Sequence, residues 1–313
     1  MNRISLICLC ILLFSQCNHP KEQTTQNPEP TIDLGPLEEH ILYISSRGEG
    51  FNIYMKAVGD TTEIQLTDFA PGWEWNPQII EGKTGPVLVY NRQDSLQAFS
   101  QAGLNLVTQA TAMVPTYNYP EITISPDGEW VAYSRRYPTE TQLILAPYHT
   151  PADSIVIADG KSYHGRVRWS PVDHRALFIS DRTGSNEVYT YDPTSGNLTQ
   201  LTENQVKEKY LTWGPDGKQI AMTMSTDDES PADIFILELA TKTLTPLTQT
   251  PEINEQEIRW SPSGKYMAYH GTSNGQDHIF IVEITTGVVN QITTADAYHG
   301  EPNWARLPLS PTN

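Results

Sequence analysis

Short apolar stretches alternate with polar turns along most of the chain, and this pattern predicts strands rather than helices. From about His40 onward, runs rich in β-branched and aromatic residues, such as "WVAYS", "ALFIS" and "HIFIVEI", are separated by clusters of Gly, Pro, Asn and Asp. No segment shows a sustained helical period. The sequence therefore predicts an all-β fold.

The strand pattern repeats with a nearly constant period. Six anchor residues mark the repeat: Trp75, Ile124, Trp169, Trp213, Trp260 and Trp304, with gaps of 49, 45, 44, 47 and 44 residues. An apolar residue follows four of the anchors nine positions later: Tyr133, Phe178, Met222 and Tyr269. Several units close with Leu or Ile followed by Thr, as in "TQLT", "TPLT" and "NQIT". Four strands in about 45 residues are typical of a propeller blade.

The two ends of the repeat region complement each other. The segment that begins at "HILYISSRGEGFNIYMKAV" supplies the second to fourth strands of a blade, and "EPNWARL" near the C-terminus supplies a first strand. We therefore predict a six-bladed β-propeller over residues 40–307, with a tail at 308–313. Pairing of the C-terminal strand with the N-terminal blade would close the ring and remove two exposed sheet edges.

The N-terminus carries a different kind of segment. Residues 4–14 are nearly all apolar and follow a lone Arg3, and Cys17 comes directly after "LFSQ". This segment resembles a bacterial lipobox, which implies a signal peptide at 1–17 and lipidation of Cys17. The alternative is a plain secretory signal in which Cys17 is incidental. Residues 18–39, rich in Pro, Gln, Thr and Glu, are predicted to be a flexible tether.

Charge limits the choice of partners. The chain has 37 acidic and 20 basic residues, a formal net charge of -17, which argues against binding to nucleic acid or to anionic lipid. We expect contact with a membrane through the lipid anchor only. The predicted location is the cell envelope, as an outer-membrane-anchored lipoprotein that faces the periplasm or the cell surface.

Several motifs resemble a known family. "WSPSGKYMAY", "WGPDGKQIAM" and "ISPDGEWVAY", together with "SDRTGSNEVYTYD", are similar to the WD40-like propeller repeats of TolB and related bacterial envelope proteins. The resemblance implies a propeller that binds an envelope partner. TolB has an additional N-terminal domain that we do not expect here, so its own partner is not carried over. Prolyl oligopeptidase-like enzymes with similar repeats add a hydrolase domain, which is likewise not expected.

One segment matches the sequence pattern of a catalytic nucleophile. "GTSNG" at 271–275 fits the G-x-S-x-G pattern of a nucleophile elbow, which requires a strand, a sharp turn and a helix. Here the pentapeptide lies between two predicted strands. We therefore predict a hairpin turn, without a nucleophilic role for Ser273.

The first strands of the blades carry the candidate site. "Tyr-His-Gly" occurs twice, with each histidine five residues before an anchor, and residues one, three and five positions before the anchors are mostly polar. The candidate ligand-binding residues are Glu121, His164, Arg166, Arg168, Tyr210, Glu257, His299 and Glu301. A simpler interpretation is solvated lining of a water-filled channel.

Two functions follow from these candidates. The preferred hypothesis is a non-enzymatic lipoprotein whose propeller binds an envelope protein or a glycan, with the arginines suited to carboxylates. The alternative is a glycan-degrading enzyme, similar to oligosaccharide lyases, in which His164 and His299 help to hold a divalent metal at the channel mouth. No cofactor is predicted under the preferred hypothesis.

Overall fold

The computed structural model describes residues 37–69, 72–82, 85–94, 99–108, 111–112, 122–138, 140–148, 150, 153–158, 160–227 and 229–308. These residues contain 24 β-strands and no α-helix, which confirms the all-β prediction. Consequently, nothing in the described residues is a helix long and apolar enough to span a membrane. The predicted signal peptide with Cys17, and the residues beyond Pro308, lie outside the described residues.

One large sheet combines strands from both ends of the chain. Its strands are β1 (Leu37–Ser45), β2 (Gly50–Ala57), β3 (Glu63–Gln65), β4 (Gly72–Gly82), β5 (Gly85–Gln93), β6 (Phe99–Asn105), β7 (Thr111–Ala112) and β24 (His299–Pro308). Their order is β24-β1-β2-β4-β5-β6-β7, with β3 paired to β2. The β2–β4 link consists of two parallel residue pairs, Gly50 with Gly72 and Phe51 with Trp73. The sheet therefore divides naturally into two groups of four strands.

Four further sheets have four antiparallel strands each. The first has β8 (Thr123–Ile124), β9 (Trp130–Arg136), β10 (Thr141–Pro147) and β11 (Ile155–Ala158). The second has β12 (His164–Trp169), β13 (Ala176–Ser180), β14 (Glu187–Asp192) and β15 (Asn197–Gln200). The third has β16 (Lys207–Trp213), β17 (Gln219–Ser225), β18 (Asp233–Glu238) and β19 (Thr243–Pro246). The fourth has β20 (Asn254–Trp260), β21 (Tyr266–Ser273), β22 (Gln276–Glu283) and β23 (Val289–Gln291).

The C-terminal strand pairs with the N-terminal one. β24 lies antiparallel to β1 from the pair Leu37–Pro308 to the pair Ser45–His299. The pairing includes Leu37, three residues before the expected boundary at His40, and so gives partners to the backbone groups at the far end of β24.

The anchor tryptophans join neighbouring sheets. The indole Nε1–H of Trp169 donates to Thr123 O at 3.3 Å, that of Trp213 to Arg168 O at 3.2 Å, and that of Trp304 to Arg259 O at 2.9 Å. Each acceptor lies one residue before the anchor of the preceding unit. A buried indole needs a partner for its N–H, so the repeat places a tryptophan where the next sheet offers a carbonyl.

The terminal Thr of each unit also has a structural role. Thr67, Thr202, Thr248 and Thr293 are buried, and their Oγ1 atoms accept hydrogen bonds of 2.8–3.0 Å from N–H groups fourteen residues earlier. The donors lie on the third strand of each group, so the hydroxyl extends the pairing where the short fourth strand ends. The sequence pattern of Leu or Ile followed by Thr reflects this bond.

The anchor assigned to the second unit was wrong. Asn76 has a positive φ of 55°, and the same conformation recurs three residues before Trp169, Trp260 and Trp304. The equivalent anchor is therefore Ile79 rather than Trp75. With Ile79 the first gap becomes 45 residues, and Leu88, nine positions later, is fully buried like its counterparts in the other units.

The "GTSNG" segment forms a hairpin. Ser273 pairs with Gln276, and the two residues between them, Asn274 and Gly275, have φ values of 52° and 76°. Two successive left-handed residues define the turn that suits a two-residue hairpin loop. No helix follows, so the predicted turn is confirmed and the nucleophile elbow is absent from this segment.

Candidate functional site

A bulge in the first strand of most units creates the site. Arg166, Glu257 and Glu301 have φ values between 50° and 57°, as does Asn76, and each lies where the strand register shifts. Non-glycine residues rarely adopt this conformation. Bulges re-aim side chains out of the regular alternation of a strand. Here they bring the residue three before each anchor towards a common pocket.

Neighbouring bulges are linked by hydrogen bonds. Glu257 Oε2 accepts the backbone N–H of Glu301 at 2.7 Å, and Glu301 Oε2 in turn accepts the backbone N–H of Asn76. Arg166 lies over the ring of Tyr210, 4.4 Å from its centroid, with its Nη2 3.5 Å from the phenolic oxygen. The two glutamates therefore satisfy backbone groups that the bulges leave unpaired.

Three arginines line a pocket of about 320 Å³, which we call the arginine pocket. They are Arg166, Arg168 and Arg259. Nη1 of Arg168 donates to Val167 O at 2.7 Å, and Nη1 of Arg259 donates to Ile258 O at 2.8 Å. No carboxylate of the described residues lies within 4.0 Å of these guanidinium groups. Their charges are thus left without an ion-pair partner in the described part of the chain.

Burial lowers the pKa values of two pocket arginines, and like charges add to the effect at Arg168. Burial, together with the charges of Arg259 and Arg166, lowers the pKa of Arg168 well below its usual range. Burial lowers the pKa of Arg259 to about 10. Arg259 therefore remains charged at neutral pH, and the lowered pKa values of both arginines mean that their charge is unfavourable in the folded protein.

The two pocket glutamates offset this charge only in part. Burial, followed by the charge of Glu257, raises the pKa of Glu301 to about 7. Burial acts in the same direction on Glu257, but His270, whose Nδ1 lies 3.6 Å from Glu257 Oε2, lowers the pKa of that carboxyl overall. Glu257 is therefore ionised and already engaged, whereas Glu301 is partly protonated near neutral pH. The described pocket carries a net positive charge.

A second cavity of about 430 Å³ adjoins the arginine pocket. The two share Asn76, Thr123, Arg168 and Arg259, so these residues separate two connected spaces. The second cavity is lined mainly by the anchors and by the prolines that follow them. A ligand in the arginine pocket thus has open space on its far side.

His164 and His299 were expected on the solvated lining of the channel, but both are buried. His164 is 2% exposed, with Nδ1 2.8 Å from Ser180 Oγ, and His299 is fully buried, with Nε2 3.2 Å from Ala295 O. His299 also stacks on His278 at 5.8 Å. Neither histidine lines the arginine pocket, so their placement in a wet channel was wrong.

The bulge explains this error. Glu208 and Glu255, which also lie five residues before an anchor and were expected on the wet face, are fully buried as well. Strict alternation would put residues one, three and five before the anchor on the same face. A bulge between these positions interrupts the alternation, so that the side chain of the fifth residue lies on the packed face.

The remaining candidates divide between the pocket and the undescribed part of the chain. Arg166, Arg168, Glu257 and Glu301 line the arginine pocket, and Tyr210 contacts it through Arg166. Glu121 lies outside the described residues. The described residues include no group of three or more His, Cys, Asp or Glu side chains arranged to hold a metal ion.

Arg259 and Asn76 were missing from the candidate residues. Arg259 occupies the same position before its anchor as Arg168, so the repeat itself contained the signal. Asn76 was hidden by the misassigned anchor of its unit, because counting back from Trp75 never reaches it.

Burial of the fifth-position glutamates predicts a pH-dependent stability. Burial raises the pKa of both Glu208 and Glu255 from 4.5 to about 7. The folded state then holds protons that the unfolded state has released, so the stabilisation is complete below about pH 4.5 and is lost as the pH rises through 7. We expect each group to lower the free energy of unfolding by about 1–3 kcal/mol between pH 5 and 8.

Chemical denaturation at a series of pH values tests this dependence. Glu208→Gln mimics the protonated acid and should flatten the curve, whereas Glu203→Gln, a surface neighbour, should leave its slope unchanged. A variant slope equal to that of the wild type would contradict the assignment of Glu208.

Comparisons with known proteins support the fold and the repeat. The family model of the TolB β-propeller domain matches residues 210–307. Dipeptidyl-peptidase 5 of Porphyromonas gingivalis is 27% identical over 137 residues, which cover 40% of this chain and 20% of that protein. The Tol-Pal system protein TolB of Francisella tularensis subsp. holarctica is 25% identical over 181 residues, 53% of this chain and 41% of that protein. The alignments thus span less than half the length of these relatives.

Solved structures extend the likeness to most of the chain. TolB from Acinetobacter baumannii superimposes with a TM-score of 0.70 at 18% identity, covering 85% of this chain and 66% of that one. An oligogalacturonate lyase in complex with manganese superimposes with a TM-score of 0.54 at 14% identity, covering 80% and 73%. At these identities the likeness concerns the fold alone. Together with the repeat motifs and the all-β sheets, it shows that the fold of this chain is similar to that of the TolB β-propeller.

Proposed function

We propose that the 24 strands form six blades of a single ring, closed by β24. The two halves of the large sheet, β24-β1-β2-β3 and β4–β7, then count as separate blades. Support comes from the contacts of β24 on both sides, since Trp304 Nε1 donates to Arg259 O at 2.9 Å and Asn303 Nδ2 donates to Pro77 O at 2.7 Å. The arginine pocket lies at the centre of this ring.

We further propose that the protein is a non-enzymatic envelope protein that binds a partner through this pocket. One observation carries the proposal: the pocket holds three guanidinium groups that have no ion-pair partner among the described residues. Like charges that Glu257 and Glu301 offset only in part are unfavourable in the free protein, so they are best explained by a ligand that supplies further negative charge.

The chemistry of the pocket favours a carboxylate-bearing partner, either an acidic protein segment or an acidic glycan. A planar guanidinium binds a carboxylate through two parallel hydrogen bonds. The surrounding protein has a net charge of -17, so the pocket is a local positive site on an acidic surface. Such a contrast disfavours anions elsewhere on the surface and directs them to the pocket.

A thermal-shift screen of the complete protein tests the proposal and identifies the class of partner. The acidic probes are trigalacturonate and a blocked Glu–Glu dipeptide, and their neutral counterparts are maltotriose and a blocked Gln–Gln dipeptide. A ligand present at 100 times its Kd stabilises the folded state by about 2.7 kcal/mol. Stabilisation by an acidic probe and not by its neutral counterpart is expected. Equal effects of the two members of each pair would contradict the proposal.

We also propose that the protein is an outer-membrane lipoprotein anchored through Cys17. The apolar segment that ends at "LFSQC", followed by a polar stretch, supports this location. Several acyl chains on one residue hold a protein stably on a membrane. We therefore expect Cys17→Ala to move the protein from the membrane fraction to the soluble fraction, as measured by fractionation and immunoblotting. Cys10→Ala, within the same segment, is the matched control and should leave the protein on the membrane.

The second candidate function is cleavage of an acidic oligosaccharide. The fold likeness to an oligogalacturonate lyase and the arginine pocket, which suits uronate carboxylates, favour it. His164 and His299, on which the metal site of this hypothesis depended, do not line the arginine pocket. Incubation with oligogalacturonate and Mn²⁺ distinguishes the functions, because a lyase produces an unsaturated product that absorbs in the ultraviolet.

A further inference from the structure

A third pocket, of about 240 Å³, opens beside the arginine pocket and has a different chemistry. Its walls are aromatic, and we call it the aromatic pocket: Phe51, Trp73, Trp75 and Tyr298 line it together with Ile44, Glu74 and Glu301. The ring of Phe51 packs edge-on against Trp73 at 6.3 Å and against Tyr298 at 5.5 Å. Trp73 is 53% exposed, which is unusual for a tryptophan and keeps one wall of the pocket at the surface.

Glu74 places an incompletely bonded carboxylate in this pocket. Its side chain is fully buried, and its Oε1 accepts two hydrogen bonds from Arg92, at 3.0 Å from Nε and 2.7 Å from Nη2. Its Oε2 has no hydrogen-bond partner among the described residues. A buried carboxylate oxygen that accepts no hydrogen bond destabilises the folded protein. A ligand that donates a hydrogen bond to this oxygen would relieve that destabilisation.

Glu301 offers a second acceptor. This residue lines both the arginine pocket and the aromatic pocket. Its Oε2 accepts the backbone N–H of Asn76, and in the described residues no donor is bonded to its Oε1. The aromatic pocket thus combines four aromatic faces with two carboxylate oxygens that have no donor.

We propose that the aromatic pocket binds a protonated primary amine, supplied by the lysine side chain of a protein partner. Aromatic faces attract cations, and the carboxylates supply acceptors for the ammonium hydrogens. The apolar stem of lysine matches the aromatic walls. The net charge of -17 favours a partner that presents basic residues.

The two carboxylates favour a primary ammonium ion over a quaternary one. A quaternary ammonium ion binds to aromatic rings but has no N–H to donate, so it would leave Glu74 Oε2 without a partner. A primary ammonium has three donors and can serve both Glu74 and Glu301. We therefore expect primary amines to bind more tightly than quaternary ones.

NMR titration of the complete protein, followed through its tryptophan indole N–H signals, tests this proposal. Nα-acetyl-lysine methylamide carries only the side-chain amine, leucinamide only an α-amine, and Nα-acetyl-norleucine methylamide has no amine. Tetramethylammonium is the quaternary probe. We expect the lysine derivative to bind at least fivefold more tightly than each of the other three.

Variants locate the binding. Trp73→Ala should weaken binding of the lysine derivative at least fivefold without loss of fold, because Trp73 is largely exposed. Glu74→Gln should weaken it as well, and Tyr137→Ala, at another exposed aromatic residue, should leave it unchanged. Arg166→Gln, in the arginine pocket, should also leave it unchanged, so failure of the arginine pocket and failure of the aromatic pocket are distinguishable.

Three outcomes would overturn the proposal. Equal binding of the norleucine derivative would show that the pocket is only apolar. Equal or tighter binding of tetramethylammonium would show that the carboxylates take no part. Tighter binding of leucinamide would overturn lysine as the source of the amine.

Discussion

Trp304→Ala is expected to lower the free energy of unfolding by about 3–5 kcal/mol, the range found when a large aromatic residue is removed from a core. Trp304 is 4% exposed and packs in a buried cluster with Ile41 and Tyr43 of β1 and Ile279 of β22. Its indole N–H also donates to Arg259 O at 2.9 Å. The substitution therefore removes packing between the two ends of the chain and leaves a carbonyl without its donor.

Thermal unfolding measures the effect, with a decrease in Tm of about 10 °C expected for a domain of this size. Trp73→Ala is the matched control, because the same change at a largely exposed tryptophan should shift the Tm by at most a few degrees. Deletion from Asn303 onward should be more severe than the point variant, since it also leaves β1 without its partner. Similar Tm values for Trp304→Ala and the wild type would contradict closure of the ring by β24.

Most of the architecture was predictable because the repeat encodes it several times. The apolar residues nine positions after the anchors, Tyr133, Phe178, Met222 and Tyr269, are all buried. Three of the tryptophan anchors, Trp169, Trp213 and Trp304, recur because their indoles bond to the preceding sheet. An error in one unit was therefore corrected by the others, as the assignment of Ile79 in place of Trp75 illustrates.

The site was less predictable because it depends on departures from regular strand geometry. Counting by twos from the anchors selected Arg166, Arg168, Glu257 and Glu301, which line the arginine pocket, but it also selected His164, which is buried outside it. A bulge cannot be recognised from apolar periodicity, since the residues that form it are as polar as their neighbours. The duplicated "Tyr-His-Gly" motif reflects the repeat and a packed histidine, not a pair of pocket ligands.

The aromatic pocket illustrates the same limit. Trp73 lies two residues before Trp75, a position that regular strand alternation assigns to the packed face if Trp75 is the anchor. With Ile79 as the anchor, the residue two positions before it is Pro77, which is buried. Trp73 lies outside the regular pattern and is exposed at the surface. An irregular unit in an otherwise regular repeat thus provides the exposed aromatic residue.

The double variant Arg168→Gln, Arg259→Gln is expected to lose binding of acidic ligands while it gains stability. Each hydrogen bond to a charged group contributes about 1.5–3 kcal/mol, so loss of both arginines should weaken binding by about 100-fold or more. In the free protein the lowered pKa values of both groups show that their charges are unfavourable. Glutamine keeps a polar side chain in the pocket and removes the charge.

The combination of weaker ligand binding and higher stability distinguishes a binding role of the arginines from a structural role. A structural role for the arginines predicts that the double variant is destabilised, because Nη1 of each donates to a backbone carbonyl. A binding role predicts an increase in Tm of a few degrees, corresponding to about 1–2 kcal/mol, together with loss of the thermal shift caused by acidic probes. Arg306→Gln, an exposed arginine outside the pocket, should change neither quantity. Loss of stability in the double variant with retained binding would show that the arginines only support the fold.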